Sequence, residues 1–427
     1  MCRPFVFICF QLCVSNLHLL QMQVFLYDLF LFFYRVAIML ASPFNAKAKL
    51  WLEGRIDWQE KLQNLPSAKK KRIWIHCASL GEFEQARPLI EKLKTQEPKP
   101  QIVLSFFSPS GYEIRKDYEY ADVVMYLPQD TKTNANAFLD LVKPDVALFV
   151  KYEFWFHYLN ELKQRNIPTV LFSSVFRTEQ IFFKWYGGFF RNMLTKFSKI
   201  FVQNEQSKQL LQSASIASEV CFDTRFDRVY QVAQNRKQFS LIEKFKGSSK
   251  ILIAGSTWQQ DEELSVQCIN ENILNGYKFI IVPHDIDLKR IASLQEKVKL
   301  KSVLLSELNN ENALAAQIIF VDSIGSLSSL YAYGEIAYIG GGFNAGIHNL
   351  LEAVVYNIPV IFGPNYNKSE EAKDLLALGE GFSVSSFTDL KNALQTAYSE
   401  TNHTGKKYVE ERLGGTEKIV AFLKNKF

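Results

Sequence analysis

The stretch from Val321 to Asp374, reading VDSIGSLSSLYAYGEIAYIGGGFNAGIHNLLEAVVYNIPVIFGPNYNKSEEAKD, constrains the fold more than any other part of the chain. An apolar strand, Ile336 to Ile339, breaks at Gly340-Gly341-Gly342. A helix carrying Glu352 follows, and a second apolar strand, Pro359 to Phe362, stops at Gly363-Pro364. This predicts a β-α-β unit with a glycine turn. Three glycines remove every Cβ where strand meets helix, so an anion can approach the backbone and the positive end of the helix dipole. Glu352, one or two turns along, is placed to accept both hydroxyls of a ribose, which makes a nucleotide the expected guest. The bland alternative is a tight turn beside a solvated helix residue.

From Ile73 onward, strands alternate with amphipathic helices, the order of a doubly wound parallel sheet. Strands are expected at Ile73 to Cys77, Ile102 to Phe106, Val123 to Tyr126, Val146 to Val150, Val170 to Phe172 and Ile200 to Gln203, with a helix at Phe83 to Lys94. Ligands in such sheets sit beyond the carboxyl ends of the strands. Three loops there carry chemistry: Ala78-Ser79-Leu80-Gly81-Glu82, Ser108-Pro109-Ser110-Gly111, and Lys151-Tyr152-Glu153-Phe154-Trp155. Glu82 opens a helix, and the dipole is expected to hold it ionised at neutral pH, available as a proton acceptor. A plain helix-start role accounts for the same position. Glu153 is a second carboxylate among aromatics, with Lys151 beside it.

The polar segment from Arg228 to Ser249 reads as a linker. A second α/β series follows. Ile251 to Ala254 leads into Gly255-Ser256-Thr257, Asp261 to Leu274 is a helix, and Phe279 to Val282 ends at Pro283-His284-Asp285. Ile318 to Val321 then precedes Asp322-Ser323-Ile324-Gly325. A terminal helix is expected over Glu417 to Lys426, with Thr416 as N-cap. At 427 residues and 48% hydrophobic content the chain is long enough for two such domains. The expected layout is residues 1–60 as a membrane-associated segment, 61–235 and 236–410 as two Rossmann-like domains facing a cleft, and 411–427 as a return helix. That is the architecture of a GT-B glycosyltransferase.

The net charge of +5 comes with no basic arm interleaved with aromatics, so nucleic acid is not an expected partner. The six cysteines (Cys2, Cys9, Cys13, Cys77, Cys221, Cys268) form no CxxC pair and no cluster with histidine. This speaks against zinc and disulfides, and Cys77 reads as a buried thiol.

Residues 1–44 are dense in Phe and Leu but punctuated by Asn16, His18, Gln21, Gln23, Asp28 and Arg35, so a clean spanning helix is hard to draw. The best helix, Val24 to Leu40, places Asp28 and Arg35 on one face and predicts an element embedded in the membrane interface without crossing it. Lys47, Lys49, Arg55, Lys61, Lys69, Lys70, Lys71 and Arg72 outnumber Glu53, Asp57 and Glu60, which favours a cytoplasmic face and anionic lipid. The rival is a secretory signal with Arg3 and the apolar run Phe5 to Val14, but no small-x-small cleavage site follows cleanly. Met22 is an alternative start.

In order, these motifs resemble those of the 3-deoxy-D-manno-octulosonic acid (Kdo) transferases of lipopolysaccharide assembly, from about Tyr27 onward. Ser79-Leu80-Gly81-Glu82 resembles the family's Ser-Val-Gly-Glu, and Ser108-Pro109-Ser110-Gly111 its Thr-Pro-Thr-Gly. Tyr126-Leu127-Pro128-Gln129-Asp130 is similar to Tyr-Leu-Pro-Leu-Asp. Lys143-Pro144-Asp145 leading to Glu153-Phe154-Trp155 resembles Lys-Pro-Asp leading to Glu-Leu-Trp-Pro. Asp322 to Gly325, Gly340-Gly341, His348-Asn349, Glu352 and Pro359 to Pro364 follow the family's order.

The resemblance implies an inverting, metal-independent GT-B enzyme without a cofactor. It would move Kdo from CMP-Kdo to the lipid A precursor at the cytoplasmic face of the inner membrane. Glu82 would be the general base and Glu153 a second catalytic acid. Gly255, Ser256, Thr257, His284, Ser323, Ile324, Gly325, Gly340, Gly341, Asn349 and Glu352 would line the CMP side. Ser79, Gly81, Ser108, Ser110, Gly111 and Lys151 would line the acceptor side. Three residues depart from the family. Ser326 stands where Glu is usual, Leu350 replaces a Pro, and His284 takes the place of an Arg that holds the donor phosphate, with Lys289 or Arg290 as substitutes. Because the leaving group is a phosphate monoester, the chemistry needs a base and donors for the departing CMP, for which the amides of Gly325, Gly340 and Gly341 are candidates. The rivals are a GT-B transferase using a UDP-sugar and a lipid acceptor, and a nucleotide-sugar epimerase of the same fold.

Overall fold

A computed structural model describes residues 3–63, 65, 70–344, 346–399 and 403–425, with the backbone only for 3–19. Met1, Cys2, Lys69 and Lys426 lie outside the described residues, as do the side chains of Arg3, Cys9, Cys13, Asn16 and His18. The chain forms two compact units, residues 1–224 with 414–427, and residues 225–413.

The first unit is built on seven parallel strands: β1 (Arg72–Cys77), β2 (Gln101–Phe106), β3 (Val123–Tyr126), β4 (Val146–Val150), β5 (Thr169–Ser174), β6 (Lys199–Val202) and β7 (Glu219–Val220). Their order is β3-β2-β1-β4-β5-β6-β7. β1, β2, β4 and β5 are buried along their whole length, as strands covered on both faces must be, and this is why each reads as a largely apolar run. Alternation divides the core in two. Trp74 joins Phe138, Phe149 and Tyr158 on one face, while Ile73 and Ile75 join Phe83, Leu89 and Ile419 on the other. Ile419 belongs to the terminal helix Gly415–Lys424, whose N-cap is Gly414 in the left-handed region (φ 95°) rather than the expected Thr416.

The second unit repeats the scheme with β8 (Lys250–Thr257), β9 (Tyr277–Pro283), β10 (Ser302–Leu304), β11 (Ile318–Phe320), β12 (Ile336–Ile339), β13 (Val360–Phe362) and β14 (Gly381–Ser383), all parallel. Here the order is β10-β11-β9-β8-β12-β13-β14. The polar segment read as a linker is instead helical over Arg225–Gln234 and Ser240–Lys246 and belongs to this unit. Its Gln and Lys residues are good helix formers, and Phe226, Val229, Ile242 and Phe245 supply the buried stripe.

A helix spans Arg3–Ala41, and its Leu20–Ala41 portion, 22 residues, is long and apolar enough to cross a membrane by length and composition. By that measure the segment is more apolar than the expectation of a helix confined to the interface required. Leu20, Val24, Tyr27 and Leu31, spaced four, three and four apart, form a stripe against the first unit, and Tyr34 continues it onto Trp51 and Phe107. Tyr27 donates to Asp130 Oδ2 (2.6 Å), Asp28 pairs with His157 Nε2 (2.6 Å), and Gln129 donates to the Leu31 carbonyl (2.9 Å). Asp28 thus has a partner on the protein, while Phe25, Leu26, Phe30, Phe32 and Phe33 are left exposed on the other side of the helix.

Candidate active site

The order of the first sheet reverses between β1 and β4. In open parallel sheets, the crevice beyond the carboxyl ends at such a reversal is where ligands bind. Glu82 follows β1 and Glu153 follows β4. Ser79 caps the helix Leu80–Lys94, and Glu82, at its third position, accepts the amides of Ala78 and of Ser79 (3.1 Å). The dipole does not keep this carboxyl in the ordinary range. Burial, reinforced by the charge of Glu153, outweighs the two amides and Lys151 and pushes it up to about 7. This corrects the expectation of a fully ionised Glu82 and gives it a proton affinity in the range where an acceptor works best near neutral pH.

Lys151 has φ 58°, a left-handed conformation unusual for a residue with a side chain, and its amide is donated to the Phe172 carbonyl (3.0 Å). Two residues on, Glu153 is buried, with its Oε2 2.9 Å from His76 Nε2 and 2.8 Å from the indole nitrogen of Trp155. His76 Nδ1 lies 2.9 Å from Ser105 Oγ, which also accepts the Trp74 indole N–H (2.8 Å). His76, Ser105 and Trp74 have no exposed surface. The sequence reading missed this run. Its signal is a histidine in an apolar strand, and the partner Ser105 is opposite it in register on β2.

In the loop after β2, Ser108 Oγ and Ser110 Oγ are 2.7 Å apart. Gly111 lets its helix close on β2, since a Cβ there would lie 2.4 Å from the Phe106 ring. Gly81 is exposed. Arg55 donates to the carbonyls of Leu127, Trp51 and Phe107 at 2.7–2.8 Å and lies 3.9 Å from the Trp51 ring centroid. Burial lowers it to about 9, and it acts as a clamp, with Phe107 packed on Trp155 at 4.8 Å.

The second sheet reverses between β8 and β12, where Gly255-Ser256-Thr257 ends one strand and the glycine turn follows the other. The turn is largely accounted for by packing. A Cβ on Gly340 would lie 2.2 Å from the Ser256 carbonyl, Gly341 has φ 92°, and a Cβ on Gly342 would meet the Gly363 backbone at 2.6 Å. The Gly340 amide is donated to the Gly255 carbonyl (2.9 Å) and that of Gly341 to buried Asp261 (3.0 Å). These two amides are therefore already engaged, against the expectation that they hold the departing phosphate. The helix behind them, Leu351–Val354, has four residues, so the dipole invoked from sequence is small.

The side chains do converge. Asn349 Nδ2 donates to Glu352 Oε1 (3.1 Å), and Glu352's charge, after burial, raises the Tyr331 phenol, whose hydroxyl lies against Gly255. Trp258 donates to His348 Nε2 (3.1 Å), and His284 stacks on both rings, with centroids 4.7 and 4.3 Å apart. Ser323, Ile324 and Gly325 form an exposed loop after β11 that leads to Leu327, which packs at Gly255. Thr257 is buried and donates to Glu262. Of the suggested substitutes for an arginine at His284, Arg290 is paired with Glu262 (3.2 Å), while Lys289 is exposed.

The model of the 3-deoxy-D-manno-octulosonic-acid transferase family matches residues 56–228, which contain Glu82, His76 and Glu153. A 3-deoxy-D-manno-octulosonic acid transferase of Aquifex aeolicus is 29% identical over 79% of this chain and 87% of its own length. One of Rickettsia typhi is 24% identical over 84% and 78%. A bifunctional glycosyltransferase/methyltransferase of Fusobacterium nucleatum is 29% identical over 86% of this chain, which spans 58% of that protein. Among solved structures, the UDP-GlcNAc 2-epimerases of Neisseria meningitidis and Methanocaldococcus jannaschii each match 83% of the chain with a TM-score of 0.56 at 15% identity, covering 100% and 99% of those chains. At that identity they establish the fold alone. In sequence the chain is thus similar to 3-deoxy-D-manno-octulosonic acid transferases, which are glycosyltransferases, and its fold is of the GT-B type.

Proposed function

We propose that the chain transfers Kdo from CMP-Kdo to a hydroxyl of a lipid A precursor, with inversion, at the cytoplasmic face of the inner membrane. The observation that carries this reading is the placement of Glu82 and Glu153 on the two sides of the strand-order reversal, within the segment that the family model matches. Glu82 takes the proton from the attacking hydroxyl. The new bond forms from that oxygen to the anomeric carbon as the bond to phosphate breaks, and CMP leaves as a monoester needing no strong acid. Asn349 and Glu352 bind the CMP ribose, with His284 and Lys289 available to the phosphate. No metal or cofactor has a role in this reading, so excess EDTA should leave the rate unchanged.

The exposed outer side of the Leu20–Ala41 helix lies in lipid, and its docked stripe keeps it along the surface of the first unit. Replacing Phe25, Phe30 and Phe33 with serine should release the protein from membranes while the Tyr27–Asp130 and Asp28–His157 contacts persist. Retention in the membrane fraction after a high-salt wash would refute that placement. The function itself is tested by incubation with CMP-Kdo, generated in situ, and a lipid A precursor, with products read by mass spectrometry. The epimerase-like fold supplies the second arm of the test. Thermal stabilisation by CMP supports the proposal, whereas stabilisation by UDP alone points to a UDP-sugar enzyme.

A further inference from the structure

His76 is buried, lies at the heart of the first unit and has no assigned part in the reaction. Both of its ring nitrogens are engaged. The Trp74 indole can only donate, so Ser105 Oγ accepts from it and is free to turn its own hydrogen toward His76 Nδ1. His76 Nε2, 2.9 Å from Glu153 Oε2, can donate to that group when it is a carboxylate, which only accepts. The Trp155 N–H, nearer to Glu153 (2.8 Å) than to His76 (3.1 Å), completes the carboxylate's donors. Trp74, Ser105, His76 and Glu153 thus form one continuous hydrogen-bonded series.

Such a chain has a consequence for Glu82. A buried carboxylate without donors takes up a proton, whereas one given two N–H groups stays charged. We infer that His76 is a positioning residue: backed by Ser105, it holds Glu153 as a fixed carboxylate beside Glu82, so that Glu82 meets the acceptor hydroxyl as a proton acceptor rather than as a carboxylate too weakly basic to use. This rests on the assignment of Glu82 as the base. The charged groups facing Glu82 are Glu153 and Lys151, both from the loop after β4, with burial the largest influence and Glu153 next. Cys77, at the end of β1, has its thiol pushed well up by burial and by the charges of Glu82, Glu153 and Glu84, so it stays neutral.

The test is the pH profile of kcat/KM for Kdo transfer by the full-length membrane-bound enzyme. The wild-type acid limb should fall near pH 7, where Glu82 loses its proton. In His76→Phe, Glu153 loses a donor that supports its charged form. The limb should then move toward acid by about one pH unit and the plateau should fall by about tenfold or more. Glu153→Gln should shift the limb in the same sense. His76→Gln, whose amide can donate to Glu153 from nearly the same place, should restore the wild-type limb, which a merely structural effect would not require. Ser105→Ala, which removes only the support behind the imidazole, should give a smaller shift in the same direction and decides the matter if His76→Phe does not fold. A limb that moves in Glu153→Gln but stays put in folded His76→Phe, or in Ser105→Ala where the former fails to fold, overturns the inference. Absence of any Kdo transfer by the wild type overturns the functional reading instead, so the two failures are distinct.

Discussion

At the reversal point of the first sheet, the polar groups are side chains that are themselves held: Glu153 by His76 and Trp155, His76 by Ser105, and Glu82 by two backbone amides at its helix start. At that of the second, the backbone has largely satisfied itself. The Gly340 and Gly341 amides are donated to Gly255 and Asp261, and the half-buried or exposed polar groups are side chains on loops and short turns, namely Asn349, Glu352, His284 and Lys289. The first arrangement suits acid-base chemistry, because a buried carboxylate held by two donors changes its neighbour's proton affinity without moving. The second suits a ligand that binds and leaves with each turnover, since loop side chains adjust at less cost than a strand end.

The sharpest break of this comparison is Glu82→Gln. It keeps size and much of the hydrogen bonding but removes the proton acceptor, so transfer should fall by about 10²-fold or more while CMP binding is unchanged. Near-normal turnover in the folded variant would return Glu82 to a helix-start role and shift attention to Glu153. The reciprocal variant in the second unit, Glu352→Ala, should spare the base and weaken CMP binding by about 1.5 to 3 kcal/mol, as expected for a charged acceptor. Unchanged affinity by calorimetry would remove Glu352 from the nucleotide site.

How much of this was legible from residues alone follows the same division. The long strands were readable because burial on both faces makes them continuous apolar runs. β7, β10 and β14 have two or three residues each and lie at or next to sheet edges, too short to carry a pattern. Glu82 and Glu153 were found because both directly follow apolar strands. His76 was not, because its meaning depends on Ser105 of β2 lying opposite it, and register between strands is set by tertiary packing. The glycine turn was legible as a turn but over-read as an anion cradle. What occupies its amides is Gly255, 85 residues earlier, and Asp261, which in sequence is only a helix-start acid.

Asp261 offers a test of that over-reading. It is buried and accepts the Tyr338 hydroxyl (2.8 Å), the Gly341 amide (3.0 Å) and the Trp258 amide (2.9 Å). Asp261→Ala should leave these donors unpaired and destabilise the second unit by about 1 to 3 kcal/mol or more, and Asp261→Asn by less. If the alanine variant instead melts like the wild type and binds CMP more tightly, the freed amides were meant for the nucleotide and the turn is a cradle after all.

The smallest expected effect concerns His348, which bears on whether the ring stack of the second unit works as a neutral platform. Burial, with His284 beside it, lowers the imidazole to about 4, and its Nε2 accepts the Trp258 N–H, which only the neutral ring can do. In the unfolded chain the same group takes up its proton near its ordinary value of about 6.5. Between those limits the unfolded state binds more protons, so His348's contribution to stability is complete above pH 6.5 and is lost as pH falls toward 4. The carboxylates titrate in part of the same window, so the measurement is a difference. The melting temperature of the wild type minus that of His348→Gln should be flat above pH 6.5 and decline by a few degrees by pH 4.5. A flat difference throughout would mean that His348 accepts a proton readily in the folded protein, making the stack a source of positive charge for the donor phosphate and the second unit, like the first, a site with its charge already in place.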